Sequence, residues 1–187
     1  MQDIKAFIEN ANKMAKEDFI KDAPNILKKA KEVGFIKVVK EFPNINQMIR
    51  DKMAEFEVDE AINLIKQFMP LLFDAMKDVI ETSEDLKDEI EEIEDTTVSM
   101  VIEDGDLAMS FIIKDGKFDF KMEALEEADL VFKMNKDIMR DMIIGNIDPI
   151  QSYMSGDIKA QGNLPKAMAL RSIFNTLGDE FGFNFIG

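Results

Sequence analysis

At Thr96 the spacing of apolar residues changes from about one in every three or four to every second position, and this change of period constrains the fold more than any other feature of the chain. Val98, Met100 and Ile102 alternate with Thr97, Ser99 and Val101. Successive side chains on a strand point to opposite faces, so one set is buried and the other is not. Glu103-Asp104-Gly105-Asp106 reads as a tight turn, and Leu107, Met109, Phe111 and Ile113 alternate along a second strand. Lys114-Asp115-Gly116-Lys117 then supplies the Asp-Gly pair favoured in two-residue hairpins. Phe118, Phe120 and Met122 continue the alternation. The result is an antiparallel meander with one strongly apolar face, which something must cover.

Downstream, residues 129–134 read as a fourth strand, and Asn135 is placed to cap a helix carrying Ile138, Met139, Met142 and Ile143 to Gly145. Asp148-Pro149 sets a good N-cap before proline at the first helical position, predicting a short helix over 149–154. Residues 156–162 form a short strand between glycines, and Asn163 opens a final helix over about 164–178. Upstream, residues 1–93 read as helical. Ile4, Phe7, Ile8, Ala11, Met14 and Ala15 share one face, and a second helix is expected from about Ala23 to Val33, stopping at Gly34. Phe42-Pro43-Asn44 breaks the pattern, and helical stretches follow near 45–56 and 59–81. The 59–81 stretch is apolar around more than half its circumference and is expected to pack on the α+β half. Pro70 inside it predicts a kink or break near Phe68. A loose capping pattern over Thr82 to Asp85 starts a short acidic helix ending near Ile93. The fold class is therefore α+β, an antiparallel-rich five-stranded sheet with helices on one face, preceded by an all-helical region. The expected division is 1–81 and 82–187.

The order of these elements, together with a local motif, resembles the sterol carrier protein type 2 family over about residues 94–181. The motif comprises Gly145-Asn-Ile-Asp-Pro149, Ser152-Tyr153-Met154-Ser155-Gly156-Asp157-Ile158-Lys159, Gly162-Asn163 and Met168-Ala169-Leu170. Upstream, Ala128-Asp129-Leu130-Val131-Phe132 resembles that family's Ala-Asp strand opening. Leu164-Pro165-Lys166 departs from the small or flexible residues that often follow the Gly-Asn pair. The resemblance implies an apolar tunnel for a fatty acyl chain, acyl-CoA, phospholipid or sterol-like ligand. The lining it points to is Met109, Phe111, Phe118, Phe120, Phe132, Met139, Met142, Ile143, Tyr153, Met154 and Met168. Gln161, Asn163, Lys166 and Arg171 are candidates for a headgroup. With 14 Met, 15 Phe and no Trp, the interior is suited to repacking around varied shapes.

Composition narrows the chemistry. The chain has neither cysteine nor histidine, which removes thiolate chemistry, disulfides and the commonest general base and metal ligand. No serine sits in a nucleophile elbow, and the acidic run over 81–95 lacks the spaced pattern of a calcium loop. The expectation is a non-catalytic protein with no cofactor and no metal. A formal net charge of -15 disfavours nucleic acid as a partner. The charge is uneven: residues 1–56 carry 11 basic and 9 acidic side chains, and 57–95 carry 3 and 14. No signal-peptide core or membrane-spanning run is visible, so the expected location is cytoplasmic with no stable membrane insertion. The apolar faces of the N-terminal helices leave room for a homo-oligomer or a protein partner. The alternative function is an interaction or accessory module with a closed core that presents lipid to a separate enzyme.

Overall fold

The computed structural model describes residues 1–181. Six helices lead: α1 (Gln2–Asn10), α2 (Lys16–Val33), α3 (Phe35–Glu41), α4 (Ile45–Ala54), α5 (Val58–Thr82) and α6 (Glu84–Glu91). The strands β1 (Thr96–Ile102), β2 (Leu107–Lys114), β3 (Lys117–Lys121) and β4 (Leu130–Met134) follow. Then come α7 (Lys136–Ile144), α8 (Pro149–Ser155), β5 (Lys159–Gly162) and α9 (Leu164–Phe181). The five strands lie in the order β3-β2-β1-β4-β5, with β1 and β4 parallel and the other pairs antiparallel.

The register sorts the sheet into two unlike faces. One carries Val98, Met100, Ile102, Leu107, Met109, Phe111, Ile113, Phe118, Phe120, Leu130, Phe132 and Met134, brought side by side by the pairings Val98↔Phe111, Phe111↔Phe120 and Met100↔Phe132. The other carries Thr97, Ser99, Ser110, Asp119, Lys121, Lys133 and Lys159. At the β2–β3 turn Asp115 has φ 51° and Gly116 φ 68°, the double positive φ of the expected hairpin.

The predicted caps form. The Asn135 side chain accepts from the Ile138 N–H at 2.9 Å and Asp148 from the Gln151 N–H at 2.7 Å. Three helical expectations are corrected. The first helix stops at Asn10 and passes through a 3-10 turn, Ala11–Lys13, rather than continuing to Ala15. The second begins at Lys16, not Ala23, and holds Pro24 inside it. An interior proline costs about 3 kcal/mol, and here tertiary packing offsets it: Phe19, in the turn before, is buried, stacks on Phe7 at 5.4 Å and faces Phe56 at 6.3 Å. α5 likewise runs through Pro70 as one helix, without the break expected near Phe68, because its apolar face is held against the sheet. The helix α3 was not expected. It buries Val38 with Ile4 and Ala30 in a small core of its own.

The main core is continuous from Phe19, Met53 and Phe56 of the helical half, through α5, to the apolar face of the sheet and to Ile173 and Leu177 of α9. Its pivot is Phe73 of α5, which meets Phe111 edge-on at 5.2 Å and Phe120 at 4.6 Å. The 59–81 stretch thus packs on the sheet as expected. Lys52, with no exposed surface, ties α4 to the chain before α2: its ammonium donates to the Met14 carbonyl at 2.7 Å and to Glu55 at 2.8 Å. Buried charge is tolerated when paired and hydrogen-bonded in this way.

Polar links also join the two halves. Lys136 meets Asp59 at 2.7 Å, Glu89 of α6 accepts from Ser172 and Thr176 of α9, and Lys77 of α5 reaches Asp119 of β3 at 2.7 Å. The hydrogen bond from Lys77 holds the Asp119 carboxyl below its ordinary 3.8, and the same bond holds Lys77 above 10.5. A lowered acid stabilises the fold fully above its unfolded value and loses that contribution as pH falls through its folded one. A raised base is the mirror case, losing its contribution as pH rises through its folded value. The stability difference between the native chain and Asp119→Ala should therefore be flat from about pH 5 to about pH 9 and shrink on both sides, as read by urea unfolding. A difference undiminished at about pH 2 would show that the ion pair is not its source.

Candidate functional site

The residues singled out as lining fall into two groups in the structure. Met109, Phe111, Phe118 and Met139 are buried in the core. Phe120, Phe132, Met142 and Ile143 are partly buried and packed against it. Tyr153, Met154 and Met168 are instead exposed, by 41%, 80% and 61%. In α8 the stripe Ile150, Tyr153, Met154 faces outward on a seven-residue helix that carries no charge. The buried group belongs to the apolar sheet face and the helix α7 that follows it, and Phe73 of α5 sits on Phe111 and Phe120 at its centre.

At one end of that sheet face an open surface cleft of about 640 Å³ lies between α5, the β1–β2 turn and the segment after β3. Lys66 and Pro70 form its helical wall, Ile102 and Leu107 its apolar floor, and Asp106 and Glu123 part of its rim. Leu107, Met109 and Phe111 alternate on one face of β2, so the floor of the cleft continues directly into the buried group. The periodicity could not reveal this cleft, because it is made by three segments far apart in the chain. A second cleft, of about 450 Å³, lies between α1 and α2 and is lined by Asp3, Phe7, Asn10 and Ile26 among others.

The polar face is occupied differently. The Leu125 N–H donates to Ser99 Oγ at 3.2 Å, Ser99 and Ser110 share a 2.7 Å hydrogen bond, and Ser110 Oγ donates to the Glu123 carbonyl at 2.7 Å. Because Ser110 spends its proton on Glu123, Ser99 is the donor between the two hydroxyls. Each buried hydroxyl thus gives one hydrogen bond and takes one, as burial demands. These serines clamp the segment after β3 across the sheet.

The motif residues hold the backbone. Gly145 and Gly156 end α7 and α8, Asp148 caps α8, and Ser152 is buried, its carbonyl accepting from the Ile158 N–H at 3.0 Å. Asp129 accepts from the Thr97 N–H at 2.8 Å through its side chain, while its carbonyl accepts from the Asn163 N–H at 2.8 Å. Of the headgroup candidates, Lys166 donates to the Asp95 carbonyl at 2.6 Å, Gln161 and Asn163 are exposed, and Arg171 is half-buried. The side chains of Ala169 and Leu170, at the end of the motif, lie outside the described residues. Among the described residues no group of three or more acidic side chains is placed to hold a metal ion, and no helix is long and apolar enough to cross a membrane.

A model of the SCP-2 sterol transfer family matches residues 73–175. Several solved structures are similar. The first, titled "UbiJ-SCP2 Ubiquinone synthesis protein", is 14% identical with a TM-score of 0.41, over 57% of this chain and 95% of that one. Sterol Carrier Protein 2 from Yarrowia lipolytica, in its apo form, is 16% identical over 55% of this chain and 86% of its own, with a TM-score of 0.42. The sterol carrier protein domain 2 of Helicoverpa armigera is 21% identical over 59% and 86%, with a TM-score of 0.42. No curated protein matches the chain.

Proposed function

The chain belongs to the SCP-2 sterol transfer family, and from that premise we propose that it is a non-catalytic lipid carrier that shelters an acyl chain or similar apolar ligand against the apolar face of its sheet. The observation that carries this reading is the continuous run of apolar side chains on one sheet face, from Ile102 and Leu107 beside the cleft through Met109 to Phe111. Each methylene moved from water onto such a surface contributes about 0.8 kcal/mol. A dozen methylenes therefore give on the order of 10 kcal/mol before association costs are subtracted. The interior is closed around Phe73, so a ligand must displace side chains to enter. Methionine-rich walls suit this, because the unbranched thioether changes shape at little cost.

The test is lipid extraction and native mass spectrometry on the purified chain, followed by displacement of a fluorescent fatty acid. Recovery of no lipid and failure to bind the probe would overturn the reading. Phe120→Asp and Met142→Lys are expected to reduce probe binding at least about tenfold, because each places an ion where an apolar chain would lie. Undiminished binding by either variant with a native circular dichroism spectrum would mean that its position does not line the site.

A second reading, in which the carrier presents its lipid to a separate enzyme, is supported by the charge-free exposed stripe of Ile150, Tyr153 and Met154 on α8. Single exposed apolar residues are ordinary on protein surfaces, whereas a stripe on one helix face is the form a docking surface takes.

A further inference from the structure

We infer that Arg50, in the seam between α4 and α7, is the carrier's headgroup contact, and that it takes the singly charged carboxylate of a fatty acid. The inference rests on the carrier reading and adds the chemistry of the ligand's polar end. Arg50 is half-buried on α4, and its Nε has no exposed surface to speak of and no hydrogen-bond partner. Among the described residues its guanidinium forms no hydrogen bond and no ion pair at all. A guanidinium is always charged and has five N–H donors and no acceptor, so what satisfies it is an acceptor, and best an anion. The chain has 38 acidic side chains and a net charge of -15, yet none of the described ones answers this cation.

The position of the group excludes its ordinary structural use. α4 packs along α7, and Arg50 lies on Gly145, the residue that ends α7: a Cβ there would stand 2.9 Å from its Nη1 and 3.3 Å from its Cζ. A cation at a helix C-terminus commonly holds the last carbonyls. Here the Asp141 and Met142 carbonyls already accept from the Asn146 and Gly145 N–H groups, at 2.8 Å and 3.1 Å, so α7 is capped without Arg50. Arg140 in the same seam is the contrast. Its Nε is also buried without a partner, but its terminal nitrogens are held by Asp141 and by the Ala54 carbonyl, each at 3.2 Å. Apolar side chains adjoin Arg50 on both helices. Ile49 precedes it on α4, and Met142, Ile143 and Ile144 fill the turn before Gly145; all four are partly buried and packed against the main core. A carboxylate on Arg50 thus has its chain's apolar surroundings within one helical turn. α4 lies outside residues 73–175, so this contact is one that the N-terminal helices add to the family's domain.

The experiment displaces a fluorescent acyl probe from the full-length chain at neutral pH with decanoic acid and, separately, with its methyl ester. Arg50→Gln is expected to weaken the acid about tenfold, the size of a charge-assisted hydrogen bond, and to leave the ester within about twofold. Arg50→Lys keeps the charge and loses the planar fork, so it should weaken the acid by only about threefold. Lys28→Gln removes the same charge from an exposed position on α2 and should change neither lipid. A second measurement reads the native chain directly. It has three arginines, Arg50, Arg140 and Arg171, and so three Nε–H resonances. Decanoate should move the one that Arg50→Lys lacks, whereas acetate, with the charge but no chain, should not. Equal weakening of acid and ester in Arg50→Gln, an unchanged acid affinity there, or the same loss in Lys28→Gln would overturn the inference and leave the carrier reading standing. So would an Arg50 resonance that stays still at saturating decanoate or moves as far with acetate. Failure of the probe and both lipids to bind the native chain would overturn both.

Discussion

Replacing Phe73 by alanine is expected to destabilise the fold by about 3–5 kcal/mol, the usual cost of deleting a buried phenyl group and leaving a cavity. The melting temperature should fall by about 10 °C for a chain of this length. The ring is 4% exposed and touches both Phe111 and Phe120, so no neighbour on the rigid sheet can close the gap. The variant has a second use. If an acyl chain lies on the same stretch of sheet, a fatty acid will fill the space and stabilise Phe73→Ala more than it stabilises the native chain. At a hundredfold excess over the dissociation constant, binding alone is worth about 2.7 kcal/mol. An equal gain in both proteins, measured by thermal unfolding with and without lipid, would place the acyl chain away from Phe111 and Phe120.

Gly162→Ala is expected to cost about 3–5 kcal/mol and to detach β5 from β4. A Cβ at this position would stand 2.2 Å from the Asp129 carbonyl oxygen, and φ there is +119°. The obstacle is backbone, which no side-chain rotation relieves, and that carbonyl also receives the Asn163 N–H. Gly156→Ala is the control. It too has a positive φ, +89°, but a Cβ would meet nothing within 4 Å, so only conformational strain of about 1–2 kcal/mol remains. Urea unfolding separates the two, and amide exchange should show protection lost at residues 159–162 in Gly162→Ala alone. Equal costs for both would mean that the close approach to Asp129 is relieved elsewhere.

The features legible in the sequence were those set within a few residues. The alternation from Val98 to Phe120, the Asp115-Gly116 turn and the caps at Asn135 and Asp148 are local codes, and each appears where it was read. The start of α2 at Lys16 rather than near Ala23 is not legible locally, because the packing of Phe19 on Phe7 and Phe56 that holds this turn is non-local. The parallel pairing of β1 with β4 and the serine clamp on the polar face join segments that no periodicity connects.

The motif that carried the resemblance was legible as a pattern, but its physical content was not. Gly162 and Asp129 are held together across a strand pair, and only the register shows it. For the candidate site, alternation placed Met109, Phe111, Phe118 and Phe120 on one face. It could not show that Phe73, from another segment, lies over two of them. Tyr153, Met154 and Met168 belong to the motif, and the helices that hold them turn them to the surface.

Tyr153 is the chain's single tyrosine, and there is no tryptophan. Excited at tyrosine wavelengths, the molecule therefore emits from one place, the outward face of α8. Its ultraviolet emission is blind to the filling of the core around Phe73 and responds to whatever approaches the surface that Ile150, Tyr153 and Met154 share. Without any added label, the chain carries a reporter that separates events on its exterior from events in its interior.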